Sequence, residues 1–376
     1  MAAISTSLAE ISPPATNPKK RNHEIDLTCR DVFEQKRPRL LPQCRQEAEV
    51  HAYDLWKKKW GIPEDLSNLK MLGRGAFGTA YEVQTPEGLL ALKIISPKER
   101  EDLIPHQFKR RTFQGIYKIE LKNFKRLQGK NIVNFPTLFS ENSRPPCRCL
   151  DNKHLGFEIA YFMTRAPGIT LIEKALSSLY KVQQLSIGLF KTLEQLHNLG
   201  LLYCDLKPEN YLWDDENNQV MLVDMGSIFS KKCHVNFLKK VCTPTYQPPE
   251  TLIDSTGSLM RGVLFTFGCT IFEAATGLPL ANFYTEDLNE RNLCYRYRLI
   301  EPKSVDVDTI PPYWPIDLES ATTHWRVSED HRYSFVGFLD GLLAFDPKER
   351  FENPTTVLAD PFCTLSLTEE RKEETV

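Results

Sequence analysis

The chain has 376 residues, 41% hydrophobic and 26% charged, a composition that fits about two or three folded, domain-sized units. Its 47 Lys+Arg against 49 Asp+Glu leave a net charge of -2, which excludes a nucleic-acid or membrane-surface binder along its whole length but not local patches. Ten cysteines without a repeated spacing, no leader-like start and no uninterrupted apolar run of spanning length give the expectation of an intracellular protein outside the membrane.

Residues 1–50 read as a disordered basic tail. Met1 to Pro18 is rich in Ala, Ser, Thr and Pro, with too little apolar surface to order itself. Two basic clusters follow, Lys19-Lys20-Arg21 and Lys36-Arg37-Pro38-Arg39. The pair resembles a bipartite nuclear-import signal, which implies an import receptor as partner and the nucleus as location. It reads equally as a solvated charge run or an anion-binding tail, so nucleic acid stays open as a partner without support.

From about Asn68, Leu69 to Val83 and Leu89 to Ile95 read as strands, separated by the turn signal Thr85-Pro86-Glu87-Gly88. Within the first stretch lies Gly73-Arg74-Gly75-Ala76-Phe77-Gly78. Glycines there let backbone N–H groups approach a phosphate chain, and strand-like sequence on both sides disfavours a dinucleotide-binding turn. Lys93, in Leu90-Ala91-Leu92-Lys93, sits on an apolar strand, where an ammonium needs a negative partner or must snorkel to the edge. Ile116 to Leu127 reads as a helix with Ile119, Phe124 and Leu127 near one face. Cys147 and Cys149 with His154 could form part of a zinc site, although loop thiols are the favoured reading. Val182 to Leu199 reads as an amphipathic helix stopped by Gly200.

The decisive segment is Tyr203-Cys204-Asp205-Leu206-Lys207-Pro208-Glu209-Asn210, followed by Val223-Asp224-Met225-Gly226. Asp-Leu-Lys-Pro-Glu-Asn resembles the catalytic loop of eukaryotic-type protein kinases, and Asp-Met-Gly stands where they carry Asp-Phe-Gly. The resemblance runs from about Leu72 to Phe362. It implies an α+β bilobal fold with the kinase domain over 66–363: a β-rich N-lobe (66–163), a hinge (164–168) and a helical C-lobe (169–363), then a flexible tail (364–376). It also implies ATP, Mg2+ and protein substrates. Asp205 would orient the acceptor hydroxyl and take its proton, while Lys207 would contact the γ-phosphate. Asn210 and Asp224 would hold Mg2+. Gly73, Gly75 and Gly78 would cover the phosphates, and Lys93 would bind them while pairing with Glu120. The long Lys93–Glu120 separation suggests an insertion over Pro97 to Thr112. Met163 would be the gatekeeper, the backbone of Thr164 and Ala166 would face adenine, and Leu72, Ala80, Ala91 and Leu212 would line the base slot. Thr243 would reach toward Asp205 and Lys207, and Glu250 would pair with Arg350. Lys207 with Thr243 implies serine/threonine specificity, since tyrosine kinases usually carry an arginine for that lysine.

Three departures stand out. Tyr203-Cys204 replaces the His-Arg that usually precedes the catalytic aspartate, which removes the cation a phosphorylated loop would neutralise. Met225 replaces Phe. Val263 falls where the family places an aspartate that braces the catalytic loop, so a nucleotide-binding scaffold without catalysis remains the alternative to an active enzyme. Asp306 to Tyr333, with several Pro, Trp and His residues, reads as an insertion or as ordinary packed surface.

Overall fold

The computed structural model describes residues 55–63, 65–75, 78–95, 111–143, 159–172, 174–251, 257–280, 327–344 and 346–368. Both basic clusters, the Cys147–His154 group and most of the expected insertions at Pro97–Thr112 and Asp306–Tyr333 lie outside the described residues.

The N-terminal lobe is built on a five-stranded antiparallel sheet in the order β1-β2-β3-β5-β4. The strands are β1 (Lys70–Gly75), β2 (Gly78–Thr85), β3 (Gly88–Ile95), β4 (Leu138–Ser143) and β5 (Ile159–Thr164). The strand-like stretch over Leu69–Val83 is a hairpin whose arms meet at the glycine-rich segment, with Gly75 facing Gly78 across its end. A β-carbon at Gly78 would run into the Ile94 carbonyl of β3, which is why the turn enters β2 on a glycine. The β2–β3 turn is closed by Thr85 Oγ1, which donates to the Gly88 carbonyl at 2.8 Å and accepts from the Glu87 N–H at 3.2 Å.

One face of this sheet is covered by the chain that precedes it. Trp60 and Ile62 are buried with Val83, Leu90, Leu92, Ile94, Ala160 and Phe162. The Trp56 and Trp60 rings lie 5.4 and 5.1 Å from that of Phe162. Aromatic side chains of this size dominate the local burial energy, so the residues just before 66 belong to the lobe's core. The other side of the lobe carries α1 (Arg111–Leu127), longer than the expected helix from Ile116. Phe124 and Leu127 are buried, Ile119 is half-buried, and Lys122, Lys125 and Arg126 are exposed.

The second lobe is helical around α2 (Leu179–Asn198) and α3 (Leu259–Thr276), with α4 (Glu329–Leu343), α5 (Pro354–Leu358) and α6 (Pro361–Thr364) packed outside. α2 starts on Ser178, whose hydroxyl accepts from the Lys181 N–H, an ordinary N-cap. α3 is long and apolar enough to span a membrane, yet 83% of it is buried inside the lobe. It is a core helix. Two short ribbons, β6 (Leu201–Tyr203) with β9 (Ile228–Ser230) and β7 (Tyr211–Asp214) with β8 (Gln219–Leu222), lie where the lobes meet. They hold both motif segments, which places those motifs at one end of the C-lobe core.

Candidate active site

Lys93 is registered between Ala80 on β2 and Tyr161 on β5, and its side chain leaves the sheet toward α1. There Nζ meets Glu120 Oε1 at 2.6 Å and lies 3.9 Å from Asp224 Oδ1. The second Glu120 oxygen accepts from the Tyr161 hydroxyl at 2.5 Å. Burial works against the Lys93 ammonium, but the Glu120 and Asp224 carboxylates outweigh it and hold its pKa above the ordinary lysine value. The separation of 27 residues between Lys93 and Glu120 is thus closed in space. The snorkelling alternative for Lys93 is not what the chain does.

Asp224 follows β8 and opens the turn Met225–Ser227. Its Oδ1 accepts from the Gly226 N–H at 3.0 Å and its Oδ2 from the Ser227 hydroxyl at 2.6 Å. Burial would lift this carboxyl; Lys93 and the bonds from Ser227 and Gly226 outweigh that, and it stays ionised below its usual range. Met225 is buried at the lobe junction, consistent with one apolar filler replacing another.

The catalytic-loop residues converge on Thr243. Asp205 Oδ1 accepts from the Thr243 N–H at 2.6 Å, and Lys207 Nζ donates to Thr243 Oγ1 at 2.9 Å. Lys207 also lies 3.8 Å from Asp205 Oδ2. Asn210 Nδ2 donates to the Asp205 carbonyl at 2.7 Å, and the Val223 N–H donates to the Asn210 carbonyl at 3.0 Å. Those two bonds tie the Asp205 loop to the strand that delivers Asp224. Burial raises the Asp205 carboxyl above its usual range, and Lys207 and Thr243 offset only part of that.

The positions expected around an adenine base have mixed exposure. Met163 and Ala91 are buried partners across β5 and β3, Ala80 and Leu212 are half-buried, and Leu72 is 37% exposed. Gly73 and Gly75 are exposed and Gly78 is half-buried, while Ala76 and Phe77 lie outside the described residues. The Thr164 N–H donates to the Thr137 carbonyl at 2.9 Å, so it is not a donor for a base edge; Ala166 follows in an open, half-buried segment. Gly168 has φ +98, and a β-carbon there would strike the Trp213 carbonyl. That close approach lets Ile169 pair with Trp213, which fixes Leu212 of β7 beneath the hinge.

Several contributing residues have no counterpart among the expected ones. Asn123, buried on α1, donates to the carbonyls of Met225 at 2.8 Å and Ile228 at 3.0 Å. It clamps α1 to the turn bearing Asp224. It lies within the buried stripe Glu120, Asn123, Phe124, Leu127 at helical spacing. Thr270 of α3 donates its hydroxyl to the Leu206 carbonyl at 3.1 Å, so α3 still braces the catalytic loop although Val263 is an apolar, fully buried residue. Cys204 is also fully buried, and its N–H donates to the Ser227 carbonyl at 2.8 Å.

The donor set suits a hard divalent cation: Asp224 is an ionised carboxylate, and Asn210, with its NH2 committed to Asp205, presents an amide oxygen. Among the described residues no group of three His, Cys, Asp or Glu could cage a metal alone. A second fixed element lies below. Glu250 and Arg350 form a buried bidentate pair at 2.7 and 2.9 Å, holding the end of the Thr243 segment to the C-lobe.

The family description "Protein kinase domain" matches residues 66–363. Human cyclin-dependent kinase 15 is 26% identical over 253 residues, 66% of this chain and 53% of that protein. The CTD kinase subunit alpha of Schizosaccharomyces pombe is 27% identical over 215 residues, 56% of this chain and 33% of that protein. Mitogen-activated protein kinase 12 of Danio rerio is 26% identical over 226 residues, covering 60% and 57%. The chain thus spans between a third and somewhat over half the length of these relatives. With that match over most of the chain, and with Lys93, Glu120, Asp205, Asn210 and Asp224 gathered between a β-rich and a helical lobe, the protein belongs to the eukaryotic-type protein kinase family.

Proposed function

We propose that this chain transfers the γ-phosphate of ATP to serine or threonine hydroxyls of proteins, using Mg2+. The observation that carries the reading is the convergence of Lys93, Asp205, Lys207, Asn210 and Asp224, all paired as catalysis requires. A scaffold that only binds nucleotide has no need of Asp205 and Lys207 aimed at a shared point beside Thr243. Lys93 neutralises charge on the α- and β-phosphates and is held by Glu120. Asn210 and Asp224 would hold Mg2+, which when bound supplies further positive charge to the phosphate oxygens. Asp205 accepts the hydroxyl proton and orients the oxygen for in-line attack, and Lys207 steadies the transferring group. Little covalent work is required of the protein; positioning and charge do most of it.

The same geometry supports activity without loop phosphorylation. The position that usually supplies a cation for a loop phosphate is Cys204, which is fully buried. Asn123 instead joins α1 to the Asp224 turn by two buried hydrogen bonds. Incubation of the purified chain with Mg-ATP and candidate proteins, followed by phosphosite mapping, tests both parts. Transfer to serine and threonine is expected, and alanine at Ser230 and Thr245 should leave the rate within about twofold. A strict requirement for phosphate on Ser227, Ser230, Thr243 or Thr245 would refute the second part, and absence of transfer the first.

The clamp has its own consequence. Asn123→Leu leaves two buried carbonyls without a donor, at a cost of about 1–3 kcal/mol each. The urea midpoint should fall, and half-maximal activity should require more Mg2+ because Asp224 is less well held. An unchanged midpoint and an unchanged Mg2+ response would show the clamp to be idle.

A further inference from the structure

Lys93, Tyr161 and Glu141 stand opposite one another on β3, β5 and β4. Residues directly opposite in an antiparallel sheet share a face, and all three side chains of this row reach α1. Lys93 donates to Glu120 Oε1 at 2.6 Å, the Tyr161 hydroxyl to Glu120 Oε2 at 2.5 Å, and Glu141 pairs with Lys125 at 2.6 Å. The outermost tie weighs least: the Lys125 side chain is 54% exposed, and an ion pair so placed is screened by water. The tyrosine is different. Both it and Glu120 are 1% exposed, and its ring meets that of Phe124 on α1 edge-on, 5.5 Å between centroids. A hydroxyl donating to a buried carboxylate makes one of the stronger hydrogen bonds a protein forms.

Glu120 needs this second anchor because two carboxylates compete for Lys93. The ammonium lies 2.6 Å from Glu120 and 3.9 Å from Asp224. A β-carbon on Gly226 would lie 3.3 Å from Glu120 Cγ and Oε1, so the carboxylate is seated against the turn that carries Asp224. With Oε2 fixed by Tyr161, Oε1 faces Lys93 and keeps the ammonium off Asp224. Without that bond the carboxylate is free to turn about its last torsion, and Lys93 can close on Asp224. Packing alone does not demand the hydroxyl: phenylalanine fills the same ring volume and meets Phe124 as well.

We propose that Tyr161 is a positioning residue of the nucleotide site: its hydroxyl orients Glu120, and Glu120 in turn keeps the Lys93 ammonium available to the phosphates. This rests on the kinase reading above. The receptor for the phosphates is then set by the sheet itself before nucleotide arrives, so binding does not have to supply the cost of ordering it.

The test is calorimetric titration of the full chain with Mg-ATP. In Tyr161→Phe, which removes one hydroxyl and keeps the ring, Kd is expected to rise about tenfold, while KM for a serine-peptide acceptor stays within about twofold. Added to Lys93→Met, which takes away the ammonium to be positioned, the same change should move Kd by less than about twofold. A purely structural hydroxyl would weaken binding equally in both backgrounds. Because Kd is read from the protein that binds, a lower yield of folded variant leaves the result readable. An unchanged Kd in Tyr161→Phe, an equal loss in both backgrounds, or a peptide KM that rises in step overturns this inference and leaves the kinase reading intact. No binding of Mg-ATP by the unsubstituted chain sinks the proposed function, and this inference with it.

Discussion

Asp205→Asn is expected to lower kcat by about 10²–10⁴-fold, the range associated with loss of a positioned acid or base, while Mg-ATP binding changes little. The reason lies in which contacts survive. Asparagine can keep an oxygen at the position that accepts from the Thr243 N–H at 2.6 Å, so the loop stays in place. Asn210 bonds the Asp205 backbone carbonyl at 2.7 Å, which the substitution does not touch. What disappears is the charge and the capacity to take a proton. The pH profile gives a second reading. Burial displaces the Asp205 carboxyl upward from a reference near about 3.9. Activity requires its ionised form, so the acid limb of kcat should lie above that reference and vanish from the residual activity of Asp205→Asn. Unchanged transfer in the variant would mean that the measured activity belongs to another protein.

Arg350→Ala carries the largest expected effect on stability, a loss of about 3–5 kcal/mol, the cost of stranding a buried charge. Arg350 makes two bonds to Glu250 and also donates to the carbonyls of Ala344 at 2.7 Å and Arg261 at 3.1 Å. Its guanidinium lies 4.7 Å from the Phe265 ring centroid. Removing it leaves Glu250 buried without its counter-charge and unties two further backbone groups. Replacing both members by apolar residues of similar volume should recover much of the loss, because an absent pair strands nothing. Urea denaturation of the two variants makes the comparison; a loss under about 1 kcal/mol in Arg350→Ala would put the pair in the class of solvent-screened surface contacts.

The parts of the site that were legible in the sequence are those whose residues lie together. Asp205, Lys207 and Asn210 sit within one loop, and Asp224 within one short turn, so their residue types and spacing carry the chemistry. Glu120 could be placed only through the family resemblance, because nothing local distinguishes a glutamate bound to Lys93 from one facing water. Asn123 went unseen for the same reason. Its acceptors, Met225 and Ile228, lie 102 and 105 residues away, and a polar residue on a helix is ordinarily read as solvated. Thr270 could not be foreseen as a brace for Leu206 because threonine in an apolar helix has its own carbonyls to bond, and it bonds Thr266 as well.

At the level of the fold, the lobes followed from strand-like and helical periods. The strand-like pattern over Leu69–Val83 covers both arms of a hairpin, and the glycine-rich segment between them marks where Gly75 comes to face Gly78. The packing of Trp56 and Trp60, just ahead of residue 66, has no local signature. Their burial against Phe162 is a contact between segments about a hundred residues apart, which no local period encodes.

The central claim is a matter of convergence: Lys93, Asn210 and Asp224, brought from separate segments, form one receptor for a metal-bound nucleotide. Calorimetric titration of the full chain with ATP, with and without Mg2+, measures it most directly. The account predicts binding that tightens at least about tenfold when Mg2+ is present, since Asn210 and Asp224 would hold the metal and it would supply positive charge to the nucleotide. That gain should be lost in Asp224→Asn, and overall affinity should be weakened in Lys93→Met. Affinity indifferent to Mg2+, or no affinity for adenine nucleotides at all, would contradict it.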